Sequence, residues 1–333
     1  MEEKNLMDMS QTESAKGAMK KAGVFFLLLM VFEIPMSILI YAVQSLFPAE
    51  YSTLISILMT QVYLLMGALV YMAVTKTRLR EDLHIRKYRV STFFLSLLVL
   101  ITAFPMASLL NVLSQFFAKN TTSGAIFDIT QSVPVWLGIL IIGCLPGFVE
   151  ETLYRGIIFT AFRKRSVLTG IVVSALCFGL MHLNFNQMLY AVYLGVIFAL
   201  IVEATGSLVS TMILHMLFNA VNTAYVYILP ELYKWLGQYS SEYESIDIET
   251  VFNTVPTDSQ LIMTSVFLIP FAIGGLIITI LLLKSIAKLN GRTLSMASIC
   301  GSKEEMKDIR PVNVFLILGW IFCLIICISN LFA

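Results

Sequence analysis

The stretch Pro146-Gly147-Phe148-Val149-Glu150-Glu151-Thr152-Leu153-Tyr154-Arg155 sets two adjacent carboxylates and an arginine inside an apolar run over residues 133–162. An ionised side chain at mid-bilayer costs roughly 2.5–3.5 kcal/mol on insertion scales, so charges in such a place mark function. On a helix Glu151 and Arg155, four residues apart, face each other, which lets the pair neutralise itself. Glu150 points about 100° away at 3.6 residues per turn, and is left to meet something on another helix. Pro146 lacks a backbone donor and starts helices more readily than it continues them. This reading therefore places Glu150 in the first turn of a second half-helix, near its positive end.

Composition extends that reading to the whole chain. Of 333 residues, 58% are hydrophobic and 13% charged, and the mean hydropathy is +0.85. Soluble domains carry roughly 45–50% apolar and 25% charged residues. The expected fold is all-α, a polytopic transmembrane helical bundle. Nine apolar runs are long enough to cross a hydrocarbon core of about 30 Å: residues 22–47, 52–75, 92–117, 135–162, 167–183, 187–202, 208–229, 261–283 and 312–332. About eight to nine spans are expected. The first run is too long for a cleavable signal peptide and no small-x-small site follows it. Residues 1–21 read as a polar, loosely ordered cytoplasmic tail, and 22–333 as one integral-membrane domain with its catalytic core at about 134–229.

Charge gives the orientation. Lys16, Lys20 and Lys21 precede the first run; Lys76, Arg78, Arg80, Arg86, Lys87 and Arg89 follow the second; Arg163, Lys164 and Arg165 follow the fourth. Together with the basic loop 284–310 these are expected in the cytoplasm, and the acidic loop 230–260, with its short helical stretch at 231–236, outside a multi-pass protein of the cell membrane. The net charge of +1 carries no signature of nucleic-acid binding. The five cysteines lie in apolar runs or in an inner loop and are expected as free thiols.

Few other polar residues stand in apolar runs. Of three histidines, His84 is in a basic loop, whereas His182 and His215 are in hydrophobic segments. Phe178 precedes His182 by four and Asn219 follows His215 by four, so each pair shares a helix face. A lone histidine or asparagine in a helix usually serves packing. Two histidines together with Glu150 in one bundle reverse that balance. Asn222 reads as an interhelical hydrogen-bonding residue, Phe178 as part of a pocket wall, and Gly143-x-x-x-Gly147 as a close helix contact. Glu33, ahead of Pro35 in the first run, reads as a structural or substrate-path residue. No Gly-x-Ser-x-Gly and no His-Glu-x-x-His occurs, and all six aspartates lie in the tail or in loops.

The set Glu150-Glu151-x-x-x-Arg155, Phe178-x-x-x-His182 and His215-x-x-x-Asn219, in that order in three successive apolar runs, resembles the type II CAAX prenyl endopeptidase family of intramembrane proteases. Bacteriocin-processing and self-immunity proteins are among its relatives. The resemblance implies hydrolysis of a peptide bond in a membrane-associated peptide or protein. Glu150 and His182 would activate a water, His215 and Asn219 would donate to the oxyanion, and Glu151 with Arg155 would hold the helix. A zinc site is the alternative, since two imidazoles and a carboxylate form a catalytic three-ligand set. It would make Glu151 the base while Arg155 occupies it, so the cofactor-free version is favoured. Outside proteolysis, the same intramembrane Glu and His residues suit a transporter or channel, or a silent scaffold on the same fold. Counting 1.5 Å per residue from the basic clusters sets His215 shallower than His182, with Glu150 between them.

Overall fold

The structure is a computed structural model that describes residues 2–86, 89–240, 243, 246–301 and 309–332. Helices α1 (Glu2–Val31), α2 (Glu33–Gln44), α3 (Ser52–Thr75), α4 (Val90–Ser114) and α5 (Thr122–Ser132) lead to α6, one continuous helix over Val135–Arg163. Then follow α7 (Val167–Leu180), α8 (Phe185–Thr205), α9 (Leu208–Gly237), α10 (Ile248–Asn253), α11 (Asp258–Leu289), α12 (Met296–Cys300) and α13 (Val314–Ser329). There is no strand among the described residues. Each of the nine apolar runs carries a helix over most of its length. Seven units are long and apolar enough to cross a membrane, α1 and α2 forming one of them, and α7 and α13 are apolar but shorter.

Local chemistry explains the departures from straight helices. The first unit bends at Phe32, where Pro35 withholds a donor from the turn before it, and the Tyr63 hydroxyl donates to the Leu29 carbonyl. Pro146 does not divide α6. A π-helical turn at Ile139–Cys144 precedes it, and the backbone continues as α-helix through Leu145–Glu151 before a second π-helical stretch at Thr152–Phe159. The wide turn absorbs the missing hydrogen bond, so Glu150 lies inside a continuous helix and not at a free positive end. The polar stretch expected to be loose is the beginning of α1, which buries Ala15 and Met19. The helical stretch expected at 231–236 is the continuation of α9 past Pro230.

Helix pairs α4–α11, α7–α8, α1–α13 and α6–α9 run alongside each other. One hydrophobic core joins α1, α3, α6, α7 and α13 with parts of α8 and α9, and a second joins α4, α8, α9 and α11. Glycines set the closest approach. A Cβ on Gly143 would lie 3.1 Å from the Ala220 backbone, and one on Gly147 would lie 2.7 Å from the Met216 nitrogen. The Gly143-x-x-x-Gly147 spacing is therefore a close helix contact, made with α9. Cβ atoms placed on Gly138 and Gly156 would meet Tyr227 and Leu208 respectively. The two helices are thus antiparallel in a fixed register.

That register resolves the depth count. Leu208, the first residue of α9, sits level with Gly156, two turns inside α6 from its basic end. Its N–H donates to the His84 carbonyl at 3.0 Å, and the Ser207 hydroxyl donates to the Arg86 carbonyl. The loop after α3 thus dips to meet the start of α9, and His215 is brought level with Glu150. The basic segments meet at one end of the bundle. Arg163 forms a bidentate pair with Glu203 at 2.6 and 2.8 Å, Arg292 donates to the Glu203 carbonyl at 2.9 Å, and Arg165 donates to the Ile309 carbonyl at 2.7 Å.

Candidate active site

Glu150 and Glu151 leave α6 toward different neighbours, as their spacing predicts. Glu151 Oε1 accepts from Arg155 Nη1 at 2.7 Å, within a pair whose two side chains are fully buried. The same oxygen accepts from His215 Nδ1 at 2.9 Å. Glu151 therefore orients an imidazole across the helix boundary, as carboxylates do for metal-ligating histidines. The other ring nitrogen, His215 Nε2, lies 3.9 Å from Glu150 Oε2. Arg155, Glu151, His215 and Glu150 thus form one buried line.

The arginine is held by rings as well as charge. Its guanidinium carbon stands 4.3 Å from the centre of Phe178 and 5.3 Å from that of Phe198. Gly195 leaves the room, since a Cβ there would come within 3.3 Å of Arg155 Nη2. Phe178 also meets His182 and His215 edge-on, at centroid distances of 5.2 and 5.6 Å. It is the wall that three site residues share.

His182 is not on a helix. It occupies the turn after α7, where its Nδ1 donates to the Phe178 carbonyl at 2.8 Å. A carbonyl only accepts, so this bond fixes the proton on Nδ1 and leaves Nε2 as the free nitrogen. The turn is pinned from three sides. Leu183 takes a left-handed φ of 52° and its carbonyl accepts from Asn330 Nδ2 at 2.9 Å. Asn184 caps α8 through the Asn186 N–H at 2.8 Å, and the buried Asn186 donates to Ser114 Oγ at 2.8 Å. Glu150 and His215 are both within electrostatic reach of His182.

Asn219 is half-buried one turn beyond His215, and no hydrogen bond of its side chain is found among the described residues. Asn222 donates to the Phe218 carbonyl of its own helix at 2.8 Å, so the interhelical role expected for it is not what the structure shows. Glu33 is half-buried at the bend between α1 and α2, apart from this line. One site residue had no signal in the sequence. Gln61 of α3 donates from Nε2 to Glu150 Oε1 at 3.1 Å.

Residues 131–221 match the family model of the type II CAAX prenyl endopeptidase, Rce1-like. No curated protein and no solved structure gives a significant match to the chain. The matched segment runs from the end of α5 into α9 as far as Val221, and holds Glu150, Glu151, Arg155, His182, His215 and Asn219. Gln61 and the residues that pin the His182 turn from α4 and α13 lie outside it. At the level of the family the match supports a protease, and seven apolar helical units of spanning length among the described residues mark a multi-pass membrane protein.

Zinc can be tested against the same side chains. The Nδ1 bonds of both histidines are the outer-sphere contacts that metal-binding imidazoles favour. Among the described residues, however, no three His, Cys, Asp or Glu side chains converge closely enough to hold an ion together.

Proposed function

We propose that the chain is an intramembrane endopeptidase of the cell membrane that hydrolyses a peptide bond in a membrane-associated peptide or protein. The observation that carries this reading is the buried line Arg155–Glu151–His215–Glu150, in which a charged residue alternates with one of opposite or acquirable opposite sign. Burying such a line in an apolar bundle is costly unless every charge has a neighbour. It leaves one free carboxylate oxygen facing one imidazole nitrogen.

In this reading Glu150 Oε2 takes a proton from a water that His182 Nε2 also holds, and the water oxygen attacks the scissile carbonyl carbon. His215 in its protonated form donates Nδ1–H to Glu151 and Nε2–H to the oxygen on which negative charge develops. The Asn219 amide supplies a second donor, a contribution typically worth about 2.7–4 kcal/mol per donor. The proton on Glu150 then passes to the leaving amine as the carbon–nitrogen bond breaks. Water, substrate and the protein's own side chains balance the reaction without a cofactor.

The family description supports a prenylated CAAX tail as one substrate class for this site, and peptides of the bacteriocin-processing or self-immunity kind are the second class it would serve. Glu150→Gln keeps the shape and removes the base. Purified in detergent, that variant should retain its melting temperature and lose cleavage of a quenched-fluorescent peptide ending in a prenylated CAAX sequence by at least about 100-fold, the lower range for general-base catalysis. Undiminished cleavage would defeat the proposal. Ion flux through reconstituted wild-type protein without any cleavage would support the transport reading instead.

A further inference from the structure

Gln61 stands in the buried stripe of α3 with Leu64 and Ala68, where a polar amide has no packing advantage over an aliphatic side chain. It is 6% exposed. Its Nε2 donates to Glu150 Oε1 at 3.1 Å, across 89 positions of sequence, while its own carbonyl oxygen is buried without a hydrogen-bond partner among the described residues. An amide kept for packing alone would lose hydration at that oxygen with no return. The side chain is therefore explained by what its N–H does for Glu150.

A carboxylate on a glutamate has free rotation about its last bond, and its two oxygens exchange roles unless one is held. The Gln61 N–H holds Oε1, which leaves Oε2 as the oxygen turned to His215 at 3.9 Å. From this we infer that Gln61 is a positioning residue for the reaction, assigning the two oxygens of Glu150 to separate tasks. The inference rests on the endopeptidase reading above. It also gives α3, which lies outside the segment matched by the family model, a part in the chemistry.

The test compares wild type, Gln61→Met, Gln61→Glu and Glu150→Gln in detergent with the same quenched-fluorescent prenylated peptide, alongside thermal unfolding of each. Gln61→Met preserves length and burial and removes the N–H. Gln61→Glu preserves shape and an acceptor, and sets a second carboxylate beside Glu150. Both are expected to lower kcat roughly 10- to 100-fold, the range seen when a partner that orients an active group is removed, with KM within about twofold because substrate is not touched. A packing role would leave kcat of Gln61→Met unchanged. Wild-type kcat in Gln61→Met with lost activity in Glu150→Gln overturns the inference alone. Equal cleavage by wild type and Glu150→Gln overturns the endopeptidase reading and the role of Gln61 with it. If Gln61→Met fails to fold, Gln61→Glu decides by the same kcat and KM criteria.

Discussion

Arg155 is the side chain whose placement most depends on its neighbours. It is 1% exposed in an apolar bundle, with Glu151 on one nitrogen and two aromatic faces against the rest. Replacing it with leucine would leave Glu151 buried without a cation, a change that costs on the order of 3–5 kcal/mol where it has been measured. Arg155→Leu should therefore lower the melting temperature of the detergent-solubilised protein sharply and abolish cleavage. Arg155→Lys keeps the charge but loses the planar stacking on Phe178, and should fall between the two. A melting temperature unchanged in Arg155→Leu would show that the pair contributes no net stability.

Between helices, the decisive contacts are made by absent side chains. Gly147→Ala would place a Cβ 2.7 Å from the backbone nitrogen of Met216, so α6 and α9 must move apart at the level of Glu150 and His215. Loss of both cleavage and thermal stability is expected. Gly274 of α11 has nothing within 4 Å of the same position, and Gly274→Ala should stabilise by about 0.5–1 kcal/mol, the ordinary gain for alanine in a helix interior. The same unfolding assay, run on both variants, separates contact from propensity. These contacts also mark what the sequence discloses. Apolar runs located every long helix, and the four-residue spacing found the Glu151–Arg155 pair, because both signals are local. Pro146 misled because the π-helical turn that accommodates it has no composition of its own. Gln61 was invisible because its partner is remote in sequence, and a single glutamine in an apolar run carries no periodicity. The turn that holds His182 depends on Asn184, Asn186 and Asn330, which only the folded chain brings to one place.

At the scale of the whole molecule, the basic end is tied together around His84. Burial lowers the affinity of its imidazole for a proton below the usual value of 6.5, and the nearby Arg163, Arg86 and Arg292 lower it further, against the opposing effect of Glu203. The unfolded chain thus binds that proton more readily than the folded one. The contribution of His84 to stability is full above about pH 6.5 and is lost as pH falls through the lower folded value. Thermal unfolding followed from pH 7.5 downward should show a declining midpoint below that point. His84→Asn, a residue that tolerates the left-handed φ of 53° found here, should flatten the decline. An unaltered pH dependence in that variant would assign the effect to other groups.

The interlocked register of α6 and α9 has a consequence for the lipid around it. Helices that meet a bilayer of unmatched thickness respond by tilting or by distorting the lipid. Two helices joined backbone to backbone at Gly143 and Gly147 cannot do so by sliding past each other. In a thinner or thicker membrane Glu150 and His215 therefore tilt as one body, and their separation is set by the protein and not by the thickness of the membrane that holds it.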